Sequence, residues 1–166
     1  MSIIGSFGMT PEMPEWHLYN DGILSPEWAQ RSAAEQDYFV FSAVRNPFDR
    51  IVSAWKYLKA TRERPLEEVL VDPPREGHDY RHFTRPQCAI LRDASGGLII
   101  QDVIRFESLQ ADYDRIAARL AKRRCRLPCV NATRREHDWR KYFTPPARAL
   151  AEAMFAEDLA AFGYAF

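Results

Sequence analysis

The chain has 166 residues, a length that fits one compact domain spanning residues 1–166 and leaves little room for a second. It is 46% hydrophobic and 28% charged, the composition of a globular protein rather than a disordered or fibrous one. Lys+Arg and Asp+Glu both number 23, so no global charge singles out nucleic acid or an anionic membrane as a partner.

Apolar runs such as residues 38–44 and 98–100 are far too short to span a bilayer. The opening MSIIGSFGMTPEMPEW has no basic segment followed by an apolar one, so no signal peptide is visible and a cytoplasmic protein is expected. Cys88, Cys125 and Cys129 are an odd and sparse set, unlike a disulfide framework. Cys125 and Cys129 with His137 do not complete a zinc spacing, so reduced structural cysteines and no metal are expected.

In chain order, the first sixteen residues carry Gly5, Gly8, Pro11 and Pro14 and read as loop. Ser25-Pro26-Glu27 combines an N-cap, a proline at the first helical position and an acid at the positive dipole end, and opens a helix to about Gln36. Residues 38–44, aromatic and β-branched almost throughout, predict a strand buried on both faces. Asn46-Pro47 repeats the cap-then-proline signal, and Phe48, Ile51, Val52, Trp55 and Leu58 follow at helical spacing. A short helix is expected over 65–71 and another over 85–92, ended by Ser95-Gly96-Gly97. Residues 98–106 read as a strand and 107–124 as a helix with Leu109, Tyr113, Ile116 and Leu120 on one face. A loop over 126–133 precedes a last helix over 145–162 that turns Leu150, Met154 and Leu159 inward. Strands separated by helices predict an α/β domain with a mainly parallel sheet, although two strands are few for such a sheet.

The informative stretch is Phe41-Ser42-Ala43-Val44-Arg45-Asn46-Pro47-Phe48-Asp49-Arg50-Ile51-Val52-Ser53-Ala54-Trp55. In parallel α/β sheets ligands sit at the carboxyl ends of strands, and Arg45 falls at such an end. The helix start beside it adds free N–H groups and a positive dipole end. Ser53 comes seven residues after Asn46, about two turns and roughly 10 Å along the helix, on nearly the same face. Arg45 and Ser53 can therefore converge on one phosphate. The same residues also suit a salt bridge for Arg45 and a packing role for Ser53.

The segment from Arg45 to Trp55 resembles the 3′-phosphate-binding motif of sulfotransferases that use 3′-phosphoadenosine 5′-phosphosulfate (PAPS), especially the carbohydrate-type family, sulfotransferase family 2. That motif is arginine, Asp or Asn, proline, two variable residues, arginine, two apolar residues, serine, then a small residue and an aromatic. The resemblance continues at Arg85-Pro86-Gln87, at Ile104-Arg105-Phe106-Glu107-Ser108-Leu109, at Leu127-Pro128 with Asn131, and at Asp158-Leu159-Ala160-Ala161-Phe162-Gly163-Tyr164. It implies the P-loop-like α/β sulfotransferase fold, a parallel sheet flanked by helices. It implies PAPS as co-substrate, Arg45 and Ser53 on its 3′-phosphate, and a hydroxyl acceptor, with carbohydrate favoured.

The family also carries a strand and then a loop of the type Pro-Lys-x-Gly/Ala-Gly-Thr-Ser that cradles the 5′-phosphosulfate. Here the first lysine is Lys56, and Ser2-Ile3-Ile4 resembles the stretch just after such a loop. The expectation is a sheet without its first strand, an exposed edge prone to self-association, and doubtful sulfate transfer by this chain. A non-catalytic nucleotide- or glycan-binding remnant of the fold is the alternative. A nucleotide kinase is not favoured, since no Gly-x-x-x-x-Gly-Lys-Ser/Thr loop occurs.

Sulfuryl transfer resembles phosphoryl transfer in needing positioning, charge stabilisation and a base for the acceptor hydroxyl. His17 is the candidate base, ahead of His78, His82 and His137, and packing beside Trp16 is its other reading. Glu107 either lines the pocket or offsets a helix dipole. Arg123, Arg124 and Arg126, and Arg134 with Arg135, read first as solvated faces, and the sharper reading sets Arg134 or Arg135 near the cofactor or a sulfated, anionic glycan. Trp139, Tyr142 and Phe143 suit a sugar or, more simply, the core.

Overall fold

The computed structural model describes residues 39–75, 83–92, 95–128 and 136–166. The chain divides into two compact units, one made of Met1–Val44 with Ile90–Val130, the other of Arg45–Ala89 with Asn131–Phe166. The fold is α/β, and among the described residues the sheet is a pair of parallel strands with flanking helices. The helix expected after Ser25 and the Trp16-His17-Leu18 segment lie outside the described residues.

In the first unit, β1 (Phe41–Val44) pairs in parallel with β2 (Asp102–Arg105), Phe41 opposite Asp102 and Val44 opposite Arg105. A parallel pair needs a crossover connection, which the chain between Val44 and Asp102 supplies. Val44 and Ile104 are buried. The expected two-sided burial of β1 is not seen. Phe41 and Ser42 are half-buried and Ala43 is exposed, since among the described residues β2 alone pairs with this strand.

β2 is shorter than the predicted strand because Leu98 bridges back to Arg92 and the Ile99 N–H donates to the Leu91 carbonyl at 2.9 Å. Next come a 3-10 turn, Phe106–Ser108, and helix α3 (Leu109–Arg119), where Tyr113, Ile116 and Ala117 form a buried stripe against β2. The predicted helix runs on to 124, but α3 stops early. Ala121 takes a left-handed φ of 52°, the Ala121 N–H donates to the Ala118 carbonyl and the Lys122 N–H to the Ala117 carbonyl. This is the Schellman pattern with alanine where glycine is usual.

In the second unit, α1 (Pro47–Tyr57) begins as predicted: the Asn46 Oδ1 accepts from the Phe48 N–H at 3.0 Å and Pro47 takes the first position, where its missing N–H costs nothing. Phe48, Ile51, Val52 and Trp55 are buried. α2 (Leu66–Val71) packs on α4 (Pro145–Met154), whose cap Thr144 accepts from the Ala147 N–H at 3.2 Å. The helix expected over 145–162 breaks at the buried Phe155 (φ −118°), and α5 (Ala156–Phe162) follows, ending in left-handed Gly163. The predicted helix over 85–92 reduces to a 3-10 turn, Cys88–Ile90.

The core of this unit is rich in aromatics. Phe48 stacks on Trp139 with centroids 5.4 Å apart, and Phe166 meets both edge-on at 5.0 and 5.2 Å. Among the described residues no helix is long and apolar enough to cross a membrane.

Candidate functional site

Arg45, Asn46 and Ser53 all belong to the second unit, the first two at the start of α1 and Ser53 about two turns into it. Pro47 cannot continue a strand ladder and its ring biases Asn46 toward an extended conformation, so the chain turns from strand to helix within two residues. Asn46 (φ −51°, ψ 122°) has this extended geometry, and its Nδ2 donates to the Ala165 carbonyl at 3.3 Å. The cap side chain thus serves the helix and the C-terminal segment together.

The Arg45 guanidinium lies along the first turn of α1, where its Nε donates to Asp49 Oδ2 at 2.6 Å. Asp49 and Ser53 are four residues apart, neighbours on one helix face. Arg45 is therefore turned toward the stripe that carries Ser53, with Asp49 between them. Ser53 is half-buried and its hydroxyl has no hydrogen-bond partner among the described residues. Arg45 keeps 18% of its side-chain surface exposed. The salt bridge that the sequence allowed for Arg45 exists, with Asp49 as its partner. Asp49 was not singled out by sequence, because it occupies a variable position of the motif. Its four-residue offset from both Arg45 and Ser53 was the signal available.

Beneath this face lies a buried polar network that sequence reasoning missed. Asp158 on α5 is fully buried. Its Oδ1 accepts from the Cys88 N–H at 2.8 Å and its Oδ2 from the Gln87 N–H at 2.9 Å and the Gln87 Nε2 at 3.2 Å. Gln87 in turn pairs with both main-chain groups of Arg45: Oε1 accepts from the Arg45 N–H and Nε2 donates to the Arg45 carbonyl, each at 2.9 Å. Arg50, one turn into α1, donates from Nη2 to the Arg85 carbonyl at 2.8 Å and stands 3.9 Å from Asp158 Oδ2. Its guanidinium also lies over the Phe155 ring, 4.9 Å from the centroid.

Burial pushes the Arg50 guanidinium below its ordinary pKa, Asp158 pushes it back up and Arg45 lowers it again. The Arg50 Nε is buried without a partner among the described residues. Arg50 also explains the collapse of the predicted helix over 85–92. It takes the Arg85 carbonyl, and the Ala89 N–H bonds Pro86 O at 3.3 Å instead.

Segments separated in sequence, Arg45 to Arg50, Arg85-Pro86-Gln87 and Asp158, thus meet in one network. The remaining candidates do not join it among the described residues. His17, His78, His82, Asn131, Arg134 and Arg135 lie outside the described residues, and His137 is exposed. Glu107 is exposed in the Phe106–Ser108 turn. Arg124 and Arg126 are exposed and line an open depression of about 650 Å³ with Gln110, Asp114, Cys125 and Leu127, within the first unit. Trp139 is a core residue, and Tyr142 and Phe143 pack against the same core, as the simpler reading expected.

A model described as the sulfotransferase family matches residues 12–134, well over half of the chain. The matched segment contains the Arg45–Trp55 motif and Arg85-Pro86-Gln87, and stops before Asp158. No curated protein and no solved structure matches the chain.

Proposed function

The chain belongs to the sulfotransferase family, and on that premise we propose that Arg45 and Ser53 bind the 3′-phosphate of PAPS for sulfuryl transfer to a hydroxyl acceptor, a carbohydrate, in the cytoplasm. The observation that carries the proposal is the strand-to-helix junction at Arg45-Asn46-Pro47, with Ser53 on the face of α1 toward which Arg45 is turned. These residues fit the group. A half-buried hydroxyl with no partner among the described residues and a partly exposed guanidinium supply a donor and a charge to one anion.

The cofactor supplies the sulfuryl group. The chain's part is to hold the nucleotide by its 3′-phosphate and, through His17, to take the proton from the acceptor oxygen. Replacing Arg45 by Ala is expected to weaken adenosine 3′,5′-bisphosphate binding by about 2–4 kcal/mol, as for a charge-assisted contact left unpaired. Calorimetry against adenosine 5′-monophosphate checks this, and equal affinity of the unmodified chain for both nucleotides would remove the assignment. Where turnover is present, His17→Ala lowers it about 10²–10⁴-fold while nucleotide affinity is spared.

A second reading is nucleotide or glycan binding without catalysis, in which the donors of a 5′-phosphosulfate loop are lacking. Losing one preorganised donor costs about 10²–10³-fold in rate. Sulfate transfer from PAPS to sugar acceptors, measured on this chain, separates the two.

A further inference from the structure

We infer that Gln87 is a positioning residue for the anion site, held in place by Asp158, and that together they set the discrimination for the nucleotide 3′-phosphate. The inference rests on the assignment of that phosphate to Arg45 and Ser53, and names the residues that make the assignment possible.

A phosphate contact from Arg45 depends on where its Cα sits and which way its side chain leaves. Both are set by its two peptide groups. In β1 such groups are fixed by the ladder, whose last paired residue is Val44. In α1 they are fixed by helical bonds, which begin with the Asn46 carbonyl accepting from the Arg50 N–H at 2.9 Å. Arg45 falls between the two systems. Its N–H and carbonyl are instead both taken by one side chain, Gln87, in a pair that imitates a strand partner.

The amide can do this in one orientation only. The Gln87 NH₂ has two hydrogens, one directed to the Arg45 carbonyl and one to Asp158 Oδ2, while its oxygen faces the Arg45 N–H. Flipping it would set the amide oxygen against a carboxylate and a carbonyl. Asp158 therefore selects the orientation, and by taking the N–H groups of Gln87 and Cys88 it also fixes the main chain from which the amide extends. Because Asp158 is buried with three donors on its two oxygens, the clamp is rigid rather than solvent-averaged. A contacting group whose orienting partner is removed commonly loses tenfold or more in affinity, even when the contacting group itself is untouched.

The test uses the full chain with Gln87→Met, which keeps length and apolar volume and removes the amide. The quantity read is the ratio of affinities for adenosine 3′,5′-bisphosphate and adenosine 5′-monophosphate, measured by calorimetry beside the melting temperature. Positioning lowers the ratio about tenfold. Gln87→Asn serves if the Met variant does not fold: it keeps amide chemistry but is one methylene too short to reach the Arg45 pair and Asp158 together, and the same fall is expected.

A wild-type ratio with a lowered melting temperature, in variants of a chain that loses its preference on Arg45→Ala, would overturn the inference and leave Gln87 a structural residue. If the unmodified chain shows no preference for the bisphosphate, the assignment of the phosphate fails first and this inference fails with it.

Discussion

Arg50 in the second unit and Arg115 in the first each stand beside aspartates, and the two clusters are built on opposite terms. Arg50 keeps 15% of its side-chain surface and Asp158 none; burial lowers the arginine's pKa and its partner only offsets this. Arg115 is 47% exposed, and its hydrogen bond to Asp102 is the main cause of a raised pKa, opposed by slight burial and helped by Asp112. The buried cluster joins α1, the 85–88 segment and α5 through main-chain groups, so removing a member leaves others unpaired. The exposed cluster ties α3 to β2 through groups that water serves nearly as well. A buried ion pair is weak evidence of net stabilisation, but breaking one is costly. A solvated pair contributes little either way.

The comparison is sharpest at Asp158. Asp158→Ala is expected to destabilise the protein by about 3–5 kcal/mol, since Arg50 would keep its charge in a largely buried site and the Gln87 and Cys88 N–H groups would lose their acceptor. Chemical denaturation measures this, and a loss below about 1 kcal/mol would place the network in the same class as the solvated one.

Asp49 stands between the two cases, 10% exposed and bonded to Arg45. Asp49→Asn keeps an acceptor for the Arg45 Nε but removes a negative charge beside the proposed phosphate. At a separation of about 5 Å and near-aqueous screening, a Coulomb energy of about 1 kcal/mol predicts an increase of roughly three- to tenfold in bisphosphate affinity, falling with added salt. Unchanged affinity across a salt series would mean that the phosphate does not lie along this stripe.

The smallest effect is expected at Arg115. Arg115→Ala should cost about 0.2–1 kcal/mol, less at high salt. Acid sharpens this contrast. The Asp102 carboxyl is held below its ordinary pKa chiefly by its hydrogen bond from Arg115. For Asp112 burial acts to raise the pKa, but bonds from the Arg105 N–H, Ser108 and Arg115 outweigh it. Both groups have depressed folded-state values, so their contribution is present above the unfolded carboxylate pKa of about 3.9 and is lost as pH falls through the folded values. Removing Arg115 should therefore flatten the acid limb of the stability curve below about pH 4, and an unaltered limb would count against the Asp102 pairing.

Local chemistry in the sequence determined the start of α1, because an Asn cap and a proline act within one turn and need no partner elsewhere. It also determined the inward face of α1, through apolar spacing, and the parallel α/β character, through the alternation of strand and helix patterns. The motif pointed to Arg45 and Ser53; Arg45 directly precedes the Asn46 cap of α1, and Ser53 lies about two turns into that helix. Where α3 ends was not legible, since Ala121 is a strong helix former and only the closing hydrogen bonds put it in a left-handed conformation. Nor was the break at Phe155, where a buried aromatic ends one helix and begins the next without glycine or proline. The bonds from Gln87 and Cys88 to Asp158 were hidden for a different reason. In the sequence Asp158 is only part of the C-terminal stretch of the resemblance, and only the packing that buries it 71 residues from Gln87 turns it into the anchor of the network.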